Sequence, residues 1–346
     1  MQQVMQSIFM NSTIIIYLIL SFVTFFICSK ISYKFKLVDL PKKRKVHFKA
    51  TAYTGGIIIS MILVCAIQLF DIADKNLNLI LSIAFLISIV GLVDDRYYLN
   101  AGNKLILQII PIFYLVIFEN LVLSHIGDYD YFKLELGAFA IPFTLICVLF
   151  LINSFNYFDG LDGTLGFTSI SVLAILYFLI PDKNFQLFLI IILIPICIFL
   201  FHNFSIFKLP KLFLGDSGSL LLGFVISFIL IYLANLNKIH PILIAWSVVI
   251  FVYEFLSINI IRLKNKQYLF KAGQDHLHHI FFKKTNSVFL TNIFLSLLNM
   301  IFFVIGYFSF LYINSLASLI LFIFLFLVFL ILRDKYSKKI INIKIK

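Results

Sequence analysis

Acid is what this chain has least of. Asp and Glu together supply 16 of 346 residues, tryptophan occurs once and cysteine four times. Charged residues of both signs reach only 13%, against 62% hydrophobic. A water-soluble domain of this length needs more polar cover, so an ordinary globular enzyme is excluded. Cys28, Cys65, Cys147 and Cys197 all fall in apolar runs without CxxC spacing, which speaks for buried packing residues and against disulfides or zinc. No internal repeat is evident, which argues against a transporter built from two symmetric halves. The first apolar run has no Lys or Arg before it and Lys30 directly after it. That is the reverse of a secretory leader, so the run is read as a retained helix.

What the chain does have is long apolar runs. A hydrocarbon core of about 30 Å needs roughly 20 apolar residues of helix. Eleven stretches qualify: 12–29, 55–70, 77–93, 104–122, 138–154, 165–181, 186–203, 219–236, 241–261, 288–308 and 314–332. The second, third and sixth are short or interrupted, so ten is the other count. The expectation is an all-α, multi-pass membrane protein, one domain over 1–346 with a basic cytoplasmic tail at 333–346. Net charge is +12, which in a soluble protein would suggest nucleic acid. Here the distribution speaks otherwise. With the N-terminus outside, 24 of the 28 Lys and Arg fall on the inner side and only Lys75, Lys133, Lys183 and Lys238 outside. The positive-inside bias therefore puts the C-terminus in the cytoplasm and implies no nucleic-acid partner. Outer loops are short, the longest being roughly 123–137.

The same orientation puts Asp94, Asp95, Asp159, Asp162 and Asp216 on the cytoplasmic side, each at the end of an apolar run. Carboxylates beside hydrocarbon need a cation, a partner or water. Asp94 and Asp95 lie in GLVDDR; in a helix they point about 100° apart, so that one can face a metal or phosphate and the other a basic neighbour such as Arg96. The bland alternative is a solvated helix end. NSFNYFDGLDGTLG carries Asn153, Asn156, Asp159 and Asp162 at three-residue spacing, which on a continuous helix would share one face. Hard oxygen ligands of this kind suit Mg²⁺ or Mn²⁺ with substrate phosphates, and the EF-hand pattern is absent. FLGDSGS places Asp216 and a Gly-Ser turn before another apolar helix, where Phe213 is either an interfacial aromatic or a ring for a base to stack on.

Three further features carry candidates. The basic loop from Asp39 holds Arg44, Lys45 and His47, then Gly55 and Gly56 at a helix start, whose free amides could meet a phosphate. A topology-setting basic cluster explains the lysines but not His47 or the glycine pair. AGQDHLHH holds His276, His278 and His279, better suited to phosphate contact than to zinc, since no cysteine is near. Glu254 sits inside the ninth apolar run, either functional or a buried partner for a neighbouring helix.

Together these motifs resemble the polyprenyl-phosphate N-acetylhexosamine-1-phosphate transferases of glycosyltransferase family 4, over roughly residues 39–280 and in the family's order. The spacing of Asp39, Pro41, Arg44, Lys45 and His47 and the HLHH ending are closer to the WecA-like branch than to the phospho-MurNAc-pentapeptide transferases. Departures are Ala52 before the glycine pair, Tyr98 in place of a third acid, Glu254 in place of Asp and Gln274 in place of a basic residue. The resemblance implies transfer of an N-acetylhexosamine-1-phosphate, GlcNAc by default, from a UDP-sugar to undecaprenyl or another polyprenyl phosphate in a bacterial cytoplasmic membrane, with release of UMP. GalNAc, QuiNAc, FucNAc and MurNAc-pentapeptide remain open as donors, with loop 262–284 expected to decide. By similarity, Asp216 and Asp162 would hold Mg²⁺ or Mn²⁺. Asp159, Asn203 and Phe213 would hold uridine, Asp94 and Asp95 would serve the lipid phosphate, and the three histidines would contact the diphosphate. Membrane lipids are expected partners, and a homodimer is left open. The competing class is an anion or lipid transporter, but such proteins carry their polar residues near the bilayer midplane.

Overall fold

A computed structural model of the chain describes residues 2–40, 50–70, 72, 74–268 and 275–345. Arg44, Lys45, His47 and Gln274 lie outside the described residues. In chain order the elements are α1 Gln2–Lys34, β1 Val38–Asp39, β2 Thr51–Ala52, α2 Gly55–Phe70, α3 Lys75–Tyr97, α4 Ala101–Phe113 with a π-helical turn Tyr114–Phe118, β3 His125–Asp128 and β4 Lys133–Glu135. They continue with α5 Ala140–Phe158, α6 Thr164–Leu179, α7 Lys183–Asn203, α8 Gly215–Asn235, α9 Pro241–Ser247, α10 Val249–Lys264, α11 Leu277–Thr285, α12 Val288–Tyr312 and α13 Ser315–Ile345.

The protein is mostly helical and polytopic. Among the described residues eight helices are long and apolar enough to cross a membrane, or nine if α9 and α10 form one span bent by 76°. The helices α2 and α6 are apolar but only 16 residues each, roughly 24 Å at 1.5 Å per residue. The stretch read as a longest outer loop contains a small antiparallel hairpin, β3 with β4, in which His125 faces Glu135 and Asp128 faces Lys133. The span that reads as continuous over 241–261 is broken at Val248. A break inside hydrocarbon frees backbone groups that need partners. Asn299 of α12 supplies them, donating to the Ser247 carbonyl at 3.0 Å and accepting from the Ile250 amide at 3.3 Å. Pro195 in α7 poses the same problem, because it cannot donate to the carbonyl of Ile191 four residues earlier. The hydroxyl of Tyr17, fully buried, donates to that carbonyl at 3.0 Å.

Two compact units divide the chain: Met1–Glu119 with Ile180–Ile229, and Asn120–Leu179 with Leu230–Lys346. In the first, α2 packs on α1, α3 and α7, and α4 folds back on α3. Ser60 and Ser88 join α2 to α3 through a 2.8 Å hydroxyl pair. In the second, α12 packs against α6, α9, α11 and α13, while α10 packs against α5 and α13. Phe155 stacks on Phe251, ring centroids 3.9 Å apart, fastening α5 to α10. Trp246 is buried and donates to Ser318 at 3.0 Å, fastening α9 to α13.

Candidate active site

Each unit carries one cluster of the sequence motifs. In the first unit the ends of α3 and α8 are pressed together. A Cβ on Gly91 would stand 2.4 Å from backbone atoms of Ser217, so only glycine lets the end of α3 lie this close to the first turn of α8. The approach brings the DD and GDSG motifs onto one cation. Lys104, in the first turn of α4, places its ammonium 2.7 Å from Asp94 Oδ2 and 2.6 Å from Asp216 Oδ2. Asp94 is buried, and its other oxygen accepts from the Leu99 amide at 2.9 Å. Tyr98, where the family often carries a third acid, instead ends α3 in the left-handed conformation with φ 53°. Asp95 diverges from its neighbour: its Oδ2 faces the Ser217 amide at 3.4 Å, a carboxylate at the electropositive start of α8. Arg96, expected as a partner for one of these acids, donates to the Lys36 carbonyl at 3.3 Å. Lys104, which joins the two motifs, is not marked in the sequence, since it reads as one more inner-side lysine.

The glycine pair has a different task from the one expected. Gly55 donates its amide to the Phe213 carbonyl at 3.0 Å, and Gly56 donates to the Leu214 carbonyl at 2.9 Å. These amides are therefore already bonded rather than free for a phosphate. With the Phe213 amide on the Ala52 carbonyl at 2.8 Å, they tie the segment before α2 to the segment before α8. Asn203 is buried and donates to the Leu212 carbonyl at 2.7 Å, holding the same segment from α7. Phe213 is half-buried, with the Lys211 ammonium 5.5 Å from its ring centroid.

In the second unit α5 ends at Phe158, and Asp159 is its C-cap with φ −83° and ψ 61°. The sequence expectation of four side chains on one helical face therefore holds only for Asn153 and Asn156. Asp162 lies beyond the helix, in the turn that leads to α6, because the glycines after each Asp favour a turn over another helical turn. Asn153 donates to the Leu149 carbonyl at 2.7 Å. Asn292 of α12 grips the turn, donating to the Asp162 carbonyl at 2.7 Å and accepting from Thr164 at 2.7 Å. Nothing in its sequence surroundings marks Asn292 as anything but a polar residue in an apolar run.

The histidines pack against this turn. A Cβ on Gly160 would stand 2.0 Å from His278 Nε2. The His276 and His278 rings are parallel within 3°, centroids 5.5 Å apart, and His279 is 4.3 Å from His278. Among the described residues neither ring nitrogen of His278 has a hydrogen-bond partner. Burial, reinforced by His279, His276 and Arg333, pushes the His278 pKa well below the usual imidazole range. Burial and then His276 and Lys283 lower that of His279. Both are neutral at pH 7, so what they offer an anion is a hydrogen-bond donor rather than a charge. Burial opposes the charge on Asp275, but the Arg262 guanidinium, 3.1 Å away, outweighs it and holds this carboxyl below the usual range. Glu254 is buried in a bidentate pair with Arg333 of α13. Arg333, read from sequence as the head of a basic tail, is thus enclosed. Among the described residues no three His, Cys, Asp or Glu side chains converge as a metal cage.

Comparison with known proteins agrees with these motifs. The profile of glycosyl transferase family 4 matches residues 77–234, which include Asp94 to Asp216. Over 269 residues the chain is 32% identical to the probable undecaprenyl-phosphate N-acetylglucosaminyl 1-phosphate transferase of Bacillus subtilis (strain 168), covering 73% of this chain and 72% of the relative. It is 28% identical over 277 residues to the undecaprenyl-phosphate alpha-N-acetylglucosaminyl 1-phosphate transferase of Yersinia pestis, covering 78% and 76%. The corresponding protein of Escherichia coli O157:H7 is 27% identical over 262 residues, covering 74% and 71%. With motifs, helical architecture and extended similarity in agreement, the chain belongs to glycosyl transferase family 4, as a membrane-spanning phospho-sugar transferase.

Proposed function

We propose that the chain, acting as one transferase unit over its whole length, moves GlcNAc-1-phosphate from UDP-GlcNAc to undecaprenyl phosphate and releases UMP. It does so in a bacterial cytoplasmic membrane with eleven spans, the N-terminus outside and the catalytic loops inside. The observation that carries the reading is the meeting of Asp94 and Asp216 on the Lys104 ammonium. Carboxylates from two motifs sharing one cation beside the start of a helix suit a site for phosphates and a counter-ion. The relatives' names and the resemblance supply the substrates.

Family membership implies a metal-dependent transferase. The donor chemistry fits a hard divalent ion: the residues assigned to it are carboxylates, and Asp216 already holds one cation, the Lys104 ammonium, at 2.6 Å. We assign Asp216 and Asp162 to Mg²⁺ or Mn²⁺. When bound, the metal offsets negative charge gathering on the leaving phosphate. Asp159, Asn203 and Phe213 are assigned to uridine, Asn203 acting through its hold on Leu212. Asp94 and Asp95 serve the lipid phosphate, and His276, His278 and His279 the diphosphate.

A phosphate monoester has its second pKa near ~6, so the lipid phosphate is largely dianionic at neutral pH and needs no strong base. One of its oxygens bonds to the sugar-bearing phosphorus of the donor. The bond from that phosphorus to the bridging oxygen breaks, and UMP leaves with that oxygen and its electron pair. Lys104 sits beside these charges as the chain's own cation. The test is UMP release by membranes containing the protein, given undecaprenyl phosphate, Mg²⁺ and each of a panel of UDP-sugars. Release with UDP-GlcNAc, lost in Asp216→Asn, is the expected result; no release with any donor overturns the reading. Trapping a phospho-enzyme without lipid would replace direct displacement with a covalent route through Asp94 or Asp159.

A further inference from the structure

We infer that Arg333, near the end of the chain and outside the family-matched core, is a positioning residue for the histidine motif and acts through Glu254. The inference rests on the transferase reading above. Four contacts support it. The Arg333 guanidinium grips the Glu254 carboxylate with both of its terminal nitrogens. Its Nη2 also donates to the Asp275 carbonyl at 2.7 Å. Glu254 Oε1 accepts from the Leu277 amide at 3.0 Å, and the same oxygen faces His276 Nδ1 at 3.4 Å. One guanidinium on α13 and one carboxylate on α10 therefore hold the backbone on both sides of His276 and face its ring.

The pair could be no more than a clasp between α10 and α13, but those helices are already fastened without it. Tyr253 of α10 sits among Phe322, Phe326 and Phe329 of α13, ring centroids 5.1 to 5.6 Å away, and donates its hydroxyl to the Phe322 carbonyl. A buried ion pair is a poor way to add stability, because desolvating two charges offsets most of their attraction. What the apolar cluster cannot do is accept the Leu277 amide, donate to the Asp275 carbonyl and orient an imidazole. The Glu254 carboxylate lies 3.4 Å from His276 Nδ1, close enough for its charge to bias the orientation of the ring. Such outer partners fix the direction and basicity of a histidine. Arg262 completes the anchoring by donating from Nη2 to Asp275 Oδ1 at 3.1 Å.

The test uses the full-length protein in detergent with two variants. Arg333→Met removes the charge and keeps the apolar stem; Arg333→Lys keeps the charge but not the planar fork. Expected in both are loss of amide-exchange protection over the peptide containing Leu277 and a kcat reduced roughly 10-fold or more, as for other partners that orient histidines. KM for the lipid phosphate should stay nearly unchanged, and thermal unfolding should remain cooperative. If Arg333→Met does not fold, the lysine variant decides alone. Wild-type kcat in a folded variant overturns the inference, whether or not exchange protection is lost. If the wild-type protein transfers no sugar phosphate from any UDP-sugar, the transferase reading has failed instead. The exchange data then still decide whether Arg333 holds the segment, and unchanged protection overturns that.

Discussion

His278 Nε2 occupies the space that a side chain on Gly160 would need, 2.0 Å from the ideal Cβ position. The contact locks the histidine motif to the FDGLDG turn and explains why a small residue follows Asp159. Gly160→Ala should force the buried ring aside and destabilise the protein by about 1–3 kcal/mol, the range for overpacking. Thermal unfolding in detergent measures this, and transfer activity should fall with it. Removing the obstacle in Gly160→Ala/His278→Ala should recover part of the lost stability, so the two substitutions will be non-additive. Additive losses would show that the two residues do not meet.

Lys104 bridges Asp94 and Asp216, so its removal leaves two carboxylates close together without their cation. A broken buried pair is destabilising by about 3–5 kcal/mol, to be discounted here to roughly 2–4 because the Asp216 side chain is 31% exposed. Lys104→Met should therefore unfold at lower temperature than the wild type without divalent metal. Added Mg²⁺ or Mn²⁺ should raise its unfolding temperature more than that of the wild type, by binding the folded state at the Asp216 carboxylate that Lys104 no longer neutralises. An equal metal response in both proteins counts against this arrangement. Transfer activity should fall in either case.

How far the site is legible in the sequence depends on what kind of signal each residue leaves. Asp94, Asp159, Asp162 and Asp216 stand out because carboxylates are rare beside apolar runs. The glycines after Asp159 and Asp162 signal a turn, yet the three-residue spacing from Asn153 suggests a longer helix than the one that ends at Phe158. Turn chemistry overrides periodicity there. Gly55 and Gly56 are visible as a helix start, but their amides are satisfied by Phe213 and Leu214, which are far away in the chain. Lys104 and Arg333 are hidden for the opposite reason to the acids. Basic residues at inner helix ends are what topology alone demands, so a lysine with a chemical task looks like any other. Asn292 and Asn299 leave no pattern, since their partners are backbone groups freed by a turn and by the break at Val248.

The neutral state of His278 makes stability depend on pH. Its folded pKa lies well below the unfolded value, through burial and then its histidine neighbours. Below about 6.5, the unfolded imidazole value, the unfolded chain takes a proton that the folded chain does not. Stability therefore falls as pH drops from 7 toward 5, with a slope of up to about 1.4 kcal/mol per pH unit for one such group. His279 adds to the same direction. Unfolding temperature measured across this range should decline in the wild type and decline less steeply in His278→Gln. Identical slopes would mean that His278 has the same pKa in the folded and unfolded chains.

Asn292 holds the turn that presents Asp162, and both ends of its amide are used. Its Nδ2 donates to the Asp162 carbonyl and its Oδ1 accepts from Thr164, each at 2.7 Å, and the residue is fully buried. Asn292→Ala removes the donor to the half-buried Asp162 carbonyl and the acceptor for the buried Thr164 hydroxyl, which should destabilise the protein by about 1–3 kcal/mol. Thr164→Val in the same background removes the orphaned hydroxyl and should recover some of that stability. It cannot restore the grip on Asp162. If the grip matters for metal binding, the double variant will need more Mg²⁺ for half-maximal transfer than the wild type, even where its unfolding temperature is close to normal. A wild-type Mg²⁺ requirement in the stabilised double variant would reduce Asn292 to a packing residue and weaken the assignment of Asp162 to the metal.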